Sequence, residues 1–189
     1  MDMRDIREQL TLTRDVEAAL VPVGDRIMLK AGEHATVTQA LGGSYTVVVG
    51  GNMYRIDGKD ADALGKAPAA LQEAAPADAP AAREQVEEAV WDQLRTCYDP
   101  EIPVSIVDLG LVYECTVMPL EEAGGGWRVD VRMTLTAAGC GMGEYLAREV
   151  RQKLFAVSGV KEAEVELVWD PPWSREMMSE SARLELGVF

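Results

Sequence analysis

The sequence predicts an α+β protein built from a small β-rich N-terminal domain and a C-terminal three-stranded sheet with helices packed on one face. Three observations predict this. Turn signals recur at short intervals over residues 1–64. Residues 65–83 are dominated by alanine, and Pro68, Pro76 and Pro80 block a continuous helix there. Residues 84–189 then switch between helical and strand periodicity in the order helix–strand–strand–helix–strand.

In the N-terminal module, turns are expected at Pro22-Val23-Gly24-Asp25, Ala31-Gly32-Glu33, Gly42-Gly43-Ser44 and Gly50-Gly51-Asn52. Between them, Arg26–Lys30, Ala35–Gln39, Tyr45–Val49 and Met53–Ile56 read as short strands of a meander or small barrel. No glycine pair is followed by Gly-Lys-Ser/Thr at the spacing of a phosphate loop. Residues 57–62 superficially follow a calcium loop, but Lys59 sits where an oxygen ligand belongs, so the segment reads as a solvated turn. Residues 65–83 read as a semi-extended, exposed linker.

In the C-terminal module, Val86, Val90, Leu94 and Cys97 recur at helical spacing and predict a helix over 84–98. Pro100 and Pro103 forbid its continuation. Leu109, Leu111, Tyr113, Cys115 and Val117 alternate along one strand. Trp127, Val129, Val131, Met133 and Leu135 alternate along the next, with Gly124-Gly125-Gly126 closing the hairpin. Leu146, Val150, Leu154 and Val157 mark a second helix. Ala163, Val165, Leu167 and Trp169 mark a third strand, with Glu162, Glu164 and Glu166 on its wet face. Residues 174–186 read as a final helix capped by Ser174.

Nearly half of the 189 residues are hydrophobic (48%), enough for a proper core. The 18 basic and 32 acidic side chains give a net charge of -14, which argues against nucleic acid or an anionic membrane surface as the main partner. No apolar run approaches the roughly 20 residues of a membrane span. Met1-Asp2-Met3-Arg4-Asp5 has neither the basic start nor the apolar core of a signal peptide. With an odd count of widely spaced cysteines, these features point to the cytoplasm.

Cys97 and Cys115 fall on apolar faces and read as small buried hydrophobes. Cys140 lies on neither face. It sits in Thr134-Leu135-Thr136-Ala137-Ala138-Gly139-Cys140-Gly141-Met142-Gly143, between a strand and a helix. A thiol near a helix N-terminus is biased toward thiolate, the form that binds metal or attacks an electrophile. The lone histidine, His34, is in the other module, which argues against a cysteine–histidine enzyme. One cysteine cannot complete a four-thiolate metal site. Two chains would each supply Cys140, or the other ligands would come from a partner, a carboxylate or a small thiol.

Asp99-Pro100-Glu101 sets two carboxylates around a rigid proline. Asp and Glu at a proline turn read as turn chemistry, with a functional pair of carboxylates as the other reading. Trp169-Asp170-Pro171-Pro172-Trp173 is a rigid aromatic elbow that either pins the tail or offers Trp169 and Trp173 to a partner.

Together, Asp99-Pro100-Glu101-Ile102-Pro103, Asp108-Leu109-Gly110-Leu111-Val112-Tyr113 and Thr134-Leu135-Thr136 leading to Gly139-Cys140 resemble the MIP-eighteen-type iron–sulfur assembly family, over about residues 84–175. The β-rich N-terminal extension, Gly-Cys-Gly-Met-Gly, Trp-Asp-Pro-Pro-Trp and Met177-Met178-Ser179 resemble its bacterial long form, the SufT type, over nearly the whole chain outside the linker. That type often has proline at the position of Ala138, a departure that loosens the turn. The resemblance implies a non-enzymatic role in iron–sulfur protein maturation, with the assembly machinery and apo client proteins as partners. It carries Cys140 over as the metal ligand, and Asp99 and Glu101 as functional residues that would bind iron as hard oxygen ligands or hydrogen-bond the helix end and position the loop. Thr134 and Thr136 lie in the segment that leads to the thiol. A labile [2Fe–2S] cluster or iron would be held transiently, with two protomers bringing their Cys140 sulfurs together. The alternative is a metal-free adaptor that recruits Suf components or clients.

Overall fold

A computed structural model describes residues 7–68, 82–121, 125–137 and 141–188. Within these residues the chain forms two compact units. One contains residues 7–68, 98–103 and 141–145. The other contains 82–97, 104–121, 125–137 and 146–188.

The first unit is built on six antiparallel strands: β1 (Glu8–Thr11), β2 (Val16–Val21), β3 (Arg26–Leu29), β4 (His34–Leu41), β5 (Ser44–Val49) and β6 (Asn52–Asp57). Their order is β1-β4-β5-β6-β2-β3. The meander expected from the turn signals is present as β4-β5-β6, and β1 and β2 extend it on either side. β2 is an alanine-rich strand that periodicity does not reveal. The inner face packs Leu12, Val16, Ala18, Leu29, Val37, Val47, Val49 and Ile56 into one core. Small and β-branched side chains suit this pleated, enclosed surface. After β6, a 3-10 turn covers Gly58–Leu64, and Arg14 binds Asp60 and Asp62 there at 2.8 and 2.6 Å. The arginine bond holds the Asp62 carboxyl below its ordinary range, so the acidic run is a cross-braced surface turn.

The second unit has α1 (Arg83–Arg95), β7 (Val112–Pro119), β8 (Trp127–Met133), α2 (Gly143–Phe155, from Leu146 onward), β9 (Val160–Leu167) and α3 (Glu180–Leu186). β7 pairs antiparallel with β8, and β8 pairs parallel with β9, so α2 is a crossover connection. Val117, Val129, Val131, Met133 and Ala163 form the buried face of the sheet. Val86, Val90, Leu94, Leu146, Val150 and Leu154 are the buried helical stripes. This is the α+β arrangement that the alternating pattern predicts.

Several boundaries differ from expectation. α1 ends three residues early, where the Thr96 hydroxyl donates to the Gln93 carbonyl at 2.7 Å. Leu109 and Leu111 are buried but precede β7. Trp169 lies beyond β9 and is exposed. The single tail helix capped by Ser174 is replaced by a 3-10 turn at Arg175–Met177, where Ser174 makes no side-chain cap bond, followed by α3. Ser179 caps α3, accepting from the Ala182 N–H at 3.1 Å. Most of the 65–83 linker and Gly124 of the hairpin lie outside the described residues.

Candidate functional site

In the first unit, the Asp99 carboxylate shapes its own turn. Its Oδ1 accepts from the Glu101 N–H at 2.8 Å and from the Ile102 N–H at 3.0 Å. Of the two roles that the resemblance implies for Asp99, loop positioning matches these bonds. Pro100 is buried and Glu101 is exposed.

The sheet holds this turn through its backbone. The β4–β5 register shifts between Val37 and Gln39, setting Gln39 beside Thr46. Such a bulge re-aims side chains from one face to the other. Gln39 and Thr46 are buried, at 6% and 1% exposure, on strands otherwise packed by valine and alanine. Gln39 Nε2 donates to the Asp99 carbonyl at 3.2 Å, and Thr46 Oγ1 donates to the Pro100 carbonyl at 3.3 Å. A buried amide and hydroxyl cost free energy unless they are bonded, and these two bonds account for both.

The same unit seats residues 141–145. The β2–β3 turn meets them glycine against glycine. A Cβ added at Gly24 would overlap the Gly141 backbone, and one at Gly141 would overlap Val23. Gly24 also has φ +85°, a conformation that suits glycine. Ala19, Val21, Met142 and Tyr145 form a small apolar cluster, with Met53 packed against it. The Tyr145 hydroxyl donates to Asp57 Oδ1 at 2.6 Å, and the Arg55 guanidinium lies 5.8 Å from the Tyr145 ring centre.

Cys140 lies outside the described residues, as do Ala138 and Gly139. In sequence, Cys140 stands three residues before α2 begins at Gly143 and one before Gly141.

Thr134 and Thr136 belong to the second unit. Thr134 is 1% exposed, and its N–H donates to the Leu111 carbonyl at 2.8 Å, continuing the sheet edge. Thr136 is half-buried in a bend. The two tryptophans of the elbow differ. Trp173 Nε1 donates to the Leu109 carbonyl at 2.8 Å, anchoring the tail, while Trp169 is 45% exposed. Asp108 completes the anchor. Its carbonyl accepts from the Ser179 N–H at 2.8 Å, and its carboxylate accepts from the Ser105 and Ser179 hydroxyls. Tyr113 donates to the Pro171 carbonyl at 2.8 Å. The Asp108-to-Tyr113 segment therefore clasps the tail.

Cys97 is fully buried. Cys115 is only partly buried, less than its place in the alternation predicts. Burial, helped by the charge of Glu87, pushes its thiol up to about 11. His34 Nδ1 shares a 3.2 Å hydrogen bond with the Thr11 hydroxyl. Sequence reasoning missed Gln39, Thr46, Asp57 and Tyr145. The sole signal was that Gln39 and Thr46 interrupt predicted apolar strands.

Residues 74–167 match the iron–sulfur cluster assembly protein family. A Porphyromonas gingivalis protein named Fe-S protein maturation auxiliary factor is 46% identical over 103 residues, spanning 92% of that protein and 54% of this chain. The Bacillus subtilis Fe-S protein maturation auxiliary factor YitW is 38% identical over 105 residues, spanning 97% of that protein and 56% of this chain. The chain belongs to the iron–sulfur cluster assembly protein family. The Staphylococcus aureus Fe-S protein maturation auxiliary factor SufT is 42% identical over 90 residues, covering 96% of that protein and 48% of this chain. With these relatives, the chain is a SufT-type member of the family. The matched span includes Asp99, Glu101, Thr134, Thr136 and Cys140. The six-stranded sheet precedes it, and Trp169 and Trp173 follow it. Among the described residues no helix is long and apolar enough to cross a membrane.

Proposed function

We propose that this chain is a non-enzymatic maturation factor for iron–sulfur proteins, working in the cytoplasm with the assembly machinery and apo client proteins. Cys140 is the ligand to the cargo, iron or a labile [2Fe–2S] cluster, which two protomers share through their sulfurs. A thiolate is a soft ligand suited to iron, and the start of α2 favours the ionised form. Release to a client is a ligand exchange: the client's thiolate binds iron as the Cys140 thiolate leaves, with no change of oxidation state. Asp99 holds its own turn, and Glu101 offers an exposed carboxylate.

The observation that carries this reading is the seating of Asp99 and of residues 141–145 on the same sheet, within one unit. The names of the matched relatives support it. The test is anaerobic reconstitution of wild type and Cys140→Ala with iron and sulfide, followed by absorption spectra and iron counting. Wild type is expected to take up a cluster at about one per two chains, and Cys140→Ala none. Equal loading of the two proteins would remove Cys140 as the ligand.

The exposure of Trp169 favours a second reading, a metal-free adaptor for Suf components or clients. Client capture that survives both Cys140→Ala and chelation, but fails in Trp169→Ala, would select it.

A further inference from the structure

We propose that the outer edge of β9 is a docking site for an extended segment of a partner protein that alternates basic with apolar residues, taken up as a fourth strand of the sheet. The proposal is independent of what Cys140 carries. β9 ends its sheet: among the described residues it pairs only with β8. The Val168 N–H donates to the Met133 carbonyl of β8 at 2.8 Å. Alternate residues of a strand direct their backbone groups to opposite sides, so Ala163, Val165 and Leu167 aim theirs away from β8. That outward row is a template for a further strand.

The two faces of β9 set the chemistry of that strand. On the buried face, Val131 and Met133 of β8 are 1% and 0% exposed, whereas their neighbours across the ladder, Val165 and Leu167, are only half-buried. Apolar side chains on an added strand would cover them. On the other face Glu162, Glu164 and Glu166 have side chains more than half exposed, at 51%, 69% and 64%. They share Arg128 and Arg132 with Asp130 and Glu114, so the carboxylates outnumber the guanidinium groups. A lysine or arginine at every second position of an added strand would lie beside these glutamates, where opposite charges are favourable. A second copy of the chain is a poor match. Its own β9 would set glutamate against glutamate, which is unfavourable. The other edge strands, β1, β3 and β7, carry at most one cation each.

The test titrates the full chain, without metal, with a synthetic peptide of eight residues, the length of β9, that alternates lysine with valine and is acetylated and amidated at its ends. The control peptide has glutamate in place of lysine. The lysine peptide is expected to bind at least about tenfold more tightly. Amide hydrogen exchange read by NMR is expected to show new protection at Ala163, Val165 and Leu167, the outward-facing residues. Glu164→Lys is expected to weaken binding by about fivefold. Val165→Pro removes an outward donor and leaves the ladder to β8 in place, so it is expected to weaken binding by about tenfold. Circular dichroism and cooperative melting check folding, and Glu164→Lys serves if Val165→Pro does not fold. Equal affinity for the two peptides, or unchanged affinity in the folded variants, would overturn the proposal. So would binding of neither peptide at about 1 mM. Binding without new protection would also overturn it, leaving plain attraction to an acidic face. Protection of the same amides that rises with the concentration of the chain alone would place a second copy on the edge instead.

Discussion

The two sheets solve the same packing problem in different ways. The six-stranded sheet wraps a core of mostly small side chains, and two of its buried polar residues, Gln39 and Thr46, bond the carbonyls of residues 99 and 100. The three-stranded sheet buries one face and leaves the other charged. On that second face Arg128 lies among Asp130, Glu162 and Glu164, and Arg132 lies between Glu114 and Glu166. Exposed pairs of this kind contribute up to about 1 kcal/mol each. Stability in the second unit therefore rests on its buried face and on the clasped tail. Polar groups that are buried hold specific partners, whereas polar groups that are exposed keep a face wet.

Truncating each core tests this contrast most severely. Ile56→Ala in the first unit and Leu154→Ala in the second, both fully buried, are each expected to cost about 3 kcal/mol in urea denaturation. A loss under about 1 kcal/mol in either would mean that the core is looser than its burial implies.

Gly110→Ala sharpens the comparison next, because it strikes the clasp alone. Gly110 has φ +70°, and a Cβ there would overlap the Met177 backbone. Gly50, at φ +57°, has open space around its would-be Cβ. Gly110→Ala should cost about 2 kcal/mol and speed tryptic cutting at Arg175. Gly50→Ala should cost about 1 kcal/mol through backbone strain, with the tail undisturbed. Equal costs and equal cutting would remove the clasp as a distinct contribution.

The narrowest effect, confined to alkaline pH, concerns Cys115. Its pKa is raised in the folded protein, from an ordinary 9.0 to about 11, so the native state holds the proton more tightly. The corresponding stability is fully present below pH 9 and is lost as pH rises toward 11. Chemical denaturation across that window should show a downward slope that Cys115→Ala flattens. An unchanged slope in the variant would assign the effect to other groups.

The C-terminal elements were legible in the sequence because their two periodicities are clean. Val129, Val131 and Met133 alternate with arginine and aspartate, and Leu146, Val150 and Leu154 keep helical spacing. β2 was not legible, since Glu17-Ala18-Ala19-Leu20 carries no strand preference and is extended by pairing with β3 and β6. The tail helix was split because Asp108 captures the Ser179 N–H, a contact 71 residues away in sequence. The motif residues of the candidate site were visible as motifs. Their supports were not, because the Gln39–Asp99, Thr46–Pro100 and Asp57–Tyr145 bonds span 60, 54 and 88 residues. A bulge that places a glutamine beside a threonine leaves no periodic trace.

The unequal tryptophans supply an optical handle. Trp169 is exposed, while Trp91, Trp127 and Trp173 are half-buried. Iodide in solution should quench the emission of Trp169 preferentially. A binding partner that covers the elbow should shield that fraction and shift the spectrum to the blue. Titrating candidate assembly proteins against Trp169→Phe as the blank would then read docking directly, without a label and without any metal-dependent signal.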